Sequence, residues 1–272
     1  MNMNMDKGKG NPQAHGASRQ WNSDMMAASR DFAGRCPVTL RYAILSAPRS
    51  GSTLLARELF RTGIAGDPHE YLNPAAIAAY QAASGATRVT LPEYLGDIES
   101  RRTSPNGCFG IKTHYFHLSR LGNTDESRRR IVEEFLRKQD RRILITRRDK
   151  LAQAVSYHLA KCSGRWTSEH EKYLGAQPAA ALEFDPVDLG QCLTRMIEDE
   201  EGWRRSLAAT GLPFIEVVFE DFLASYRETL ERVGAYLGID FGASPLEPPL
   251  TPTTDARATA LRERFSAYLS HG

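Results

Sequence analysis

The sequence has little excess charge of either sign, few cysteines and no metal-binding spacing. Its 272 residues carry 35 Lys and Arg against 33 Asp and Glu, a formal charge of +2. This balance argues against a nucleic-acid partner, because such proteins depend on neutralising many phosphates. The four cysteines form no CxxC pair, and no His stands at zinc-ligand spacing from them. We therefore expect a reduced chain that binds no metal.

Export and membrane signals are also missing. Residues 1–37 are rich in Met, Asn, Gly and Ser and lack the apolar stretch of about 7–15 residues that a secretion signal requires. The most apolar segment, Ala75 to Ala83, is about half the ~20 residues that cross a bilayer. We expect residues 1–37 to be a disordered tail, residues 38–272 to be one domain, and the protein to be cytoplasmic with no transmembrane segment.

Short apolar runs alternate with segments of helical spacing. The candidate strands are Tyr42–Leu45, Cys108–Lys112, Arg142–Thr146 and Pro213–Val218. A helix follows the first strand from Thr53, and the later candidate helices are Ala75–Ala83, Ser127–Gln139, Lys150–Lys161, Leu189–Ala209, Tyr226–Leu237 and Ala256–Leu269. This alternation predicts an α/β fold, a parallel sheet flanked by helices. Residues 162–187 are interpreted as a loop or lid, and the Pro-rich residues 242–255 as an extended connector.

The segment APRSGST (Ala47–Thr53) joins the first strand to the first helix. Its small residues let successive N–H groups point at one anion, and the helix adds the positive end of its dipole. Compared with the phosphate-loop pattern GxxxxGK[ST], Ser46 replaces the first Gly and Ser52 replaces the Lys. Loss of that Lys favours an anion with less charge than Mg²⁺-bound ATP. The alternative is an ordinary turn in which Ser52 or Thr53 caps the helix.

A second basic motif follows the strand RILIT. Arg147 stands at the end of this strand, and Ser156 lies two turns into the next predicted helix. Ligands of open α/β sheets bind at the carboxyl ends of the strands, so an Arg fork and a hydroxyl there could hold a second phosphate. The alternative is a solvated basic strand end with Ser156 packed inside its helix.

With both motifs in order, the sequence resembles the sulfotransferases that depend on 3′-phosphoadenosine 5′-phosphosulfate (PAPS), most closely the bacterial trehalose 2-sulfotransferase family. The resemblance covers about residues 42–269. It rests on APRSGSTLL, TGIAGDPHEYL, GIK, TRRDKLAQAVS, Trp166, EEGWR and TTDAR, which occur in this order along the chain.

The resemblance implies a single-domain sulfotransferase fold with a P-loop-type parallel sheet, PAPS as sulfuryl donor, a carbohydrate or glycolipid hydroxyl as acceptor, and no metal. The residues implied to bind the donor are Arg49, Ser50, Gly51, Ser52 and Thr53 at the 5′-phosphosulfate, Arg147 and Ser156 at the 3′-phosphate, and Thr254 and Arg257 in a late loop. Some members of the family are dimers, so a homodimer is expected.

The resemblance also implies that Glu70 is the general base. A carboxylate can act near neutral pH if burial raises its pKa. His69 is the alternative base because its ordinary pKa is closer to neutrality, and we expect His69 and Trp166 to contact the substrate. Lys112 would lie at the same sheet edge and stabilise charge on the sulfuryl group, or else be a solvated strand end.

Other functions stay open at this point. Thr113 and His114 replace the aromatic residue that follows the family's GGK segment, which argues against trehalose itself as the acceptor. A sulfotransferase that acts on a non-sugar natural product is the alternative within the same fold. A P-loop kinase of a small metabolite would need a loop Lys that this chain lacks. A non-catalytic nucleotide-binding protein would tolerate Glu70→Gln with no change beyond stability.

Overall fold

The computed structural model describes residues 20–85, 88–167, 184–242 and 256–271. Four strands form one sheet, and every neighbouring pair is parallel. The strands are β1 (Leu40–Ser46), β2 (Cys108–His114), β3 (Arg141–Thr146) and β4 (Ile215–Val218), and their order across the sheet is β2-β1-β3-β4. All four predicted strands are present, and the predicted α/β class with a parallel sheet is confirmed.

Helices pack on both faces of this sheet. The helices of the described residues are α1 (20–25), α2 (Ser52–Arg61), α3 (Pro74–Ser84), α4 (Leu91–Arg102), α5 (Tyr115–Ser119), α6 (Asp125–Arg137), α7 (Lys150–Ser163), α8 (Pro186–Thr210), α9 (Phe219–Ala224), α10 (Tyr226–Leu237) and α11 (Ala256–His271). Each helix predicted from the sequence is among them. No helix in the described ranges is long and apolar enough to cross a membrane.

The sheet divides two hydrophobic cores. Alternate residues of β1 belong to different cores: Ala43 and Leu45 pack on the α4 and α6 side, whereas Tyr42 and Ile44 pack on the α2 and α10 side. Successive strand side chains point to opposite faces, so a strand covered on both faces must be apolar along its whole length. This explains why the strands read as continuous apolar runs.

Helix α4 was not predicted, although the sequence carries a signal for it. Thr90 is the N-cap residue, and its backbone N–H donates to Glu93 Oε2 at 3.0 Å while Glu93 N–H donates to Thr90 Oγ1 at 3.4 Å. This reciprocal capping box has the pattern Thr-x-x-Glu and is recognisable in a sequence. The short helices α5 and α9 carry no comparable side-chain cap.

The prediction of a disordered tail through residue 37 is wrong from residue 20 onward. Trp21, Met25 and Met26 are buried in the core that contains Ala43. Arg102 fastens this segment, because its Nη2 donates to the carbonyl oxygens of Met25 at 3.2 Å and Ala27 at 3.1 Å. The folded domain therefore includes residues before position 38, and residues 1–19 lie outside the described part.

The strand order creates a crevice between β1 and β3. The chain leaves β1 toward β2 on one side of the sheet and leaves β3 toward β4 on the other side. The connections therefore diverge at the carboxyl ends of β1 and β3, which is where open α/β sheets bind ligands. Two other predicted segments are only partly visible, because residues 168–183 of the lid and 243–255 of the connector lie outside the described residues.

Candidate active site

The loop after β1 has the backbone of an anion-binding turn. Arg49 (φ 61°) and Gly51 (φ 85°) both adopt left-handed conformations, and a Cβ added to Gly51 would lie 2.2 Å from Phe219 Cδ2. Gly51 is the N-cap of α2, and no side chain caps the helix. The alternative in which Ser52 or Thr53 is the cap is therefore wrong. The first-turn N–H groups of α2 face the crevice without a capping side chain.

The two predicted phosphate motifs meet across this crevice. Arg49 Nε donates to Ser156 Oγ at 2.9 Å, and Arg147 Nη1 donates to the Arg49 carbonyl oxygen at 3.2 Å. Gln153 Nε2 donates to the Pro48 carbonyl oxygen at 2.7 Å and so fastens the loop to α7. Residues separated by about a hundred positions in sequence thus form one basic site.

This basic site contains polar groups that the described residues leave unsatisfied. Burial, with a contribution from neighbouring Arg147, lowers the pKa of Arg49 to about 10. Within the described ranges Arg49 makes no ion pair, while Arg147 lies 3.9 Å from Glu220. Ser50 Oγ and Arg147 Nε are buried without a hydrogen-bond partner in the same ranges. Buried groups of this kind are costly unless a ligand satisfies them. An anionic ligand with several oxygens fits.

A carboxylate cluster lies beside the loop at the end of β2. Lys112 Nζ is 2.6 Å from Glu70 Oε1 and 2.9 Å from Thr53 Oγ1, so it joins the carboxylate to the first turn of α2. His114 Nε2 is 3.2 Å from Glu70 Oε1, and Asn73 Nδ2 donates to Glu70 Oε2 at 3.1 Å. The sequence singled out Glu70 and Lys112 separately, and the structure places them in direct contact.

The electrostatics of Glu70 differ from the sequence-based expectation. Burial acts to raise the pKa of Glu70, but the nearby Lys112 and His114 outweigh it and hold the pKa well below its usual value. The expectation that burial would raise this pKa is therefore wrong. Glu70 is ionised at neutral pH and is held in place by three partners.

His69 points away from this cluster. Its ring packs 5.0 Å from the ring of Trp21 and 5.7 Å from that of Tyr71, and burial lowers its pKa to about 4. Its backbone oxygen accepts a hydrogen bond from Lys112 N–H at 3.0 Å. His69 therefore supports β2 from the core side and does not line the cavity that contains Glu70, contrary to the predicted substrate contact.

One cavity of about 340 Å³ connects the loop with the carboxylate cluster. Of the predicted site residues it is lined by Arg49, Ser52, Thr53, Glu70 and Trp166. Thr254 lies outside the described residues, and Arg257 is exposed at the start of α11. The lining residues that the sequence did not indicate are Trp21, Asn22, Pro48, Asn73, Ala75, His114, Phe116, His117, Arg120, Tyr157, Thr167 and Arg195. They come from seven segments that lie far apart in the chain.

A separate polar cluster lies between α7 and α8. His158 Nδ1 is 2.6 Å from Asp188 Oδ2, and the ligand atoms of His158, Asp188 and Cys192 lie within 4.8 Å of one another. Lys161 pairs with the same carboxylate. Because an ammonium group already occupies Asp188, we interpret this cluster as an ion-pair network that joins the two helices. The absence of a metal stays a prediction.

The chain matches one family model over most of its length and two curated proteins at low identity. The model of a family described as Stf0 sulphotransferase matches residues 41–268. The chain is 24% identical over 262 residues to the trehalose 2-sulfotransferase of Mycolicibacterium smegmatis, covering 82% of this chain and 93% of that protein. It is 23% identical over 256 residues to that of Mycobacterium tuberculosis, covering 83% and 94%. A solved sulfotransferase domain from the curacin biosynthetic pathway aligns with a TM-score of 0.47 at 14% identity, covering 88% of this chain and 99% of that one.

Proposed function

The chain belongs to the Stf0 sulphotransferase family, and on this premise we propose that it transfers a sulfuryl group from PAPS to a hydroxyl of a carbohydrate or glycolipid acceptor. The family match confirms the resemblance inferred from the sequence. The observation that carries the proposal is the pair of partly buried guanidinium groups, Arg49 and Arg147, beside a helix N-terminus that no side chain caps.

The basic site fits the donor. In our proposal the first-turn N–H groups of α2 hold the 5′-phosphosulfate with Ser50 and Ser52, and Arg147 holds the 3′-phosphate with Ser156. The unsatisfied Ser50 Oγ and Arg147 Nε would then donate hydrogen bonds to phosphate or sulfate oxygens of the ligand. Arg49 already donates to Ser156, so it connects the two phosphate sites.

When bound, PAPS supplies an activated sulfuryl group whose S–O bond to the 5′-phosphate breaks as the acceptor oxygen bonds to sulfur. Glu70 takes the proton that the acceptor hydroxyl loses. Lys112 stabilises the negative charge that develops around the transferred group, because its Nζ lies between Thr53 of the phosphate loop and Glu70. Each of these two side chains has its own role in the reaction.

The Lys112–Glu70 contact suggests how the base becomes effective. While Lys112 pairs with Glu70, the pKa of the carboxylate stays low and its affinity for a proton is weak. An anion in the phosphate loop would draw the ammonium group away from Glu70. Burial would then raise the pKa of Glu70, so donor binding would increase its basicity.

A carbohydrate acceptor is supported by the curated relatives, which are named as trehalose 2-sulfotransferases. The cavity offers aromatic rings and amide groups beside Glu70, including those of Phe116 and Asn73. Aromatic faces with a few polar groups are typical of sugar sites. A cytoplasmic location and a homodimer belong to the same proposal.

A kinase is disfavoured by a particular contact. Thr53 occupies the position of the hydroxyl that binds Mg²⁺ in the GxxxxGK[ST] pattern. Lys112 Nζ lies 2.9 Å from Thr53 Oγ1, so an ammonium group stands where that pattern places a divalent cation. The chain therefore supplies its positive charge from β2 and not from a loop lysine and a metal.

Calorimetry tests the proposal directly. Purified protein is titrated with 3′-phosphoadenosine 5′-phosphate (PAP) in EDTA and, separately, with ATP and Mg²⁺. We expect metal-independent binding of PAP at least ~10-fold tighter than binding of Mg-ATP, because ATP lacks the 3′-phosphate that Arg147 and Ser156 would meet. A preference for Mg-ATP would replace the sulfotransferase proposal with the kinase.

A further inference from the structure

Arg120 lies on the Glu70 side of the cavity, away from the phosphate loop. It follows α5, and its Nη2 donates to the Leu72 carbonyl oxygen at 3.1 Å, two residues after Glu70. It makes no ion pair with any carboxylate in the described ranges. Its pKa is lowered by partial burial and by the neighbouring Arg195. A guanidinium group has five N–H donors, so the Leu72 contact leaves others for a ligand, and Arg120 lines the cavity.

Arg195 reaches the same part of the cavity from α8. Its guanidinium carbon lies 4.5 Å from the centre of the Phe116 ring and 5.9 Å from that of Tyr157. Among the described residues it too lacks an ion pair. Asp199, one turn further along α8, is near enough for Arg195 to lower its pKa, but it forms no ion pair with Arg195 in the described ranges and accepts a hydrogen bond from Phe116 N–H at 3.1 Å. Stacking on Phe116 thus fixes the guanidinium plane while its N–H groups stay available.

A buried histidine beside these arginines also lacks a partner. His117 is 2% exposed, and its Nδ1 makes no hydrogen bond within the described part of the chain. Burial lowers the pKa of His117 to about 2, so the ring is neutral. His117 lines the cavity. It therefore adds a neutral hydrogen-bonding group next to two cations.

Among the described lining residues, no carboxylate is available to neutralise this arginine pair, Arg120 and Arg195. Glu70 is the acidic side chain among the described lining residues, and it is already held by Lys112, His114 and Asn73. The donor nucleotide would meet Arg49 and Arg147 on the loop side. Two adjacent cations at one cavity therefore favour a second substrate that carries an anionic group.

We infer that the acceptor is an anionic hydroxyl compound, a sugar bearing a carboxylate or phosphate group, and that Arg120 and Arg195 bind this group while Glu70 faces the hydroxyl. The inference rests on the proposed function and narrows its acceptor class. It also distinguishes this chain from a protein whose acceptor is a neutral disaccharide. Arg120 and Arg195 are then specificity-determining residues for the acceptor.

The test compares charged and neutral sugars on protein saturated with PAP, because PAP fills the loop side of the cavity. To test a carboxylate, glucuronate is compared with glucose. To test a phosphate, glucose 6-phosphate is compared with glucose, and trehalose 6-phosphate is compared with trehalose. We expect the charged member of at least one pair to bind ~10-fold tighter or better in calorimetric titrations. The pair that shows the effect identifies which anion the site takes.

Variants assign the effect to the arginine pair. Arg120→Gln and Arg195→Gln should each remove most of the charged-sugar advantage, and Arg195→Lys should restore only part of it, because Lys cannot form the stacked, forked contact. Arg205→Gln is the matched control, since Arg205 is exposed on the same helix and does not line the cavity. Thermal melting confirms that each variant is folded.

The inference is overturned if no charged sugar binds at least ~10-fold tighter than its neutral counterpart, or if the advantage survives in both glutamine variants. PAP affinity is measured first in every titration and should be unchanged in these variants. If the unaltered protein does not bind PAP, that result contradicts the proposed function and not this inference. In that case the sugar titrations without PAP still test the anion site.

Discussion

The two ends of the cavity are both basic, but they are built in different ways. The loop end is lined by Arg49, whose carbonyl oxygen accepts a hydrogen bond from Arg147, and each of the two belongs to a contiguous motif at the carboxyl end of a strand. The other end is formed by Arg120 and Arg195, which come from the end of α5 and the middle of α8 and belong to no motif. The loop end is therefore readable in the sequence, whereas the other end appears only when the helices pack.

The centre of the cavity differs from both ends. Glu70, Lys112, His114 and Asn73 satisfy one another. Among the four arginines of the two ends, Arg147 lies 3.9 Å from Glu220, and the other three make no ion pair in the described ranges. Internally compensated charge suits groups that move a proton, because their protonation depends on neighbours that can change. Uncompensated charge suits binding. Substitutions at the centre should therefore change the rate, and substitutions at the ends should change affinity.

The largest expected effect is on turnover at the centre. Glu70→Gln should lower the rate of sulfuryl transfer from PAPS by at least ~10²-fold and leave PAP affinity nearly intact, because the amide cannot accept the proton of the acceptor. A sulfuryl-transfer assay and calorimetry measure the two quantities. His69→Gln is the matched comparison and should stay active, since His69 faces the core. Full activity of Glu70→Gln would remove the base assignment.

Next in size is the loss of affinity at the loop end. Arg147→Ala should weaken PAP binding by about 2–4 kcal/mol, because it removes the charged partner of the 3′-phosphate. Adjacent Arg148 is exposed and pairs with Asp221, so Arg148→Ala should leave PAP affinity unchanged. Equal effects of the two substitutions would mean that the loop end attracts the nucleotide only through general positive charge.

A smaller effect is expected on the pH dependence of the rate. Lys112 lowers the pKa of Glu70, so the unaltered enzyme should keep its base ionised throughout the neutral range and down to mildly acidic pH. Lys112→Met removes that cation, so the acidic limb of the kcat/KM profile for PAPS, which reports the donor-free enzyme, should move upward by about one pH unit or more. If the acidic limb does not move, Lys112 does not control the pKa of the general base.

The smallest effect concerns the stability of the helix that carries Arg195. Burial raises the pKa of Asp199 to about 6, above its ordinary value of 3.8. The native state thus binds more protons than the unfolded state between these pH values, and the free energy of unfolding falls as pH rises through that window. Asp199→Asn should remove this loss.

Thermal or urea unfolding of Asp199→Asn should show a gain of about 1 kcal/mol at pH 8 that turns into a loss of stability near pH 4, where Asp199 is protonated and carries no charge penalty. The gain stays modest because the amide nitrogen replacing the unpartnered Oδ2 would itself be unpaired. A gain that is the same at both pH values would show that the Asp199 charge is not its cause.

Much of the fold follows from patterns that a sequence displays directly. Strands covered on both faces appear as unbroken apolar runs, and helices such as α7 and α10 appear through their spacing. The segment that contains Trp21 was not recognised as folded, because its three apolar residues lie within a polar stretch that is typical of a disordered tail. Its burial depends on a partner surface formed by α4 and β2, which lies far away in the chain.

The sequence by itself determined the order of strands and helices, the phosphate loop and the residues at the ends of β1 and β3, because local backbone geometry and apolar spacing are encoded by neighbouring residues. Only the tertiary structure decided the protonation of Glu70, the inward-packed side chain of His69 and the meeting of Arg120 with Arg195. Charge interactions act across space within several ångströms, so they depend on which distant segments become neighbours. That proximity arises from packing, and no local sequence pattern encodes it.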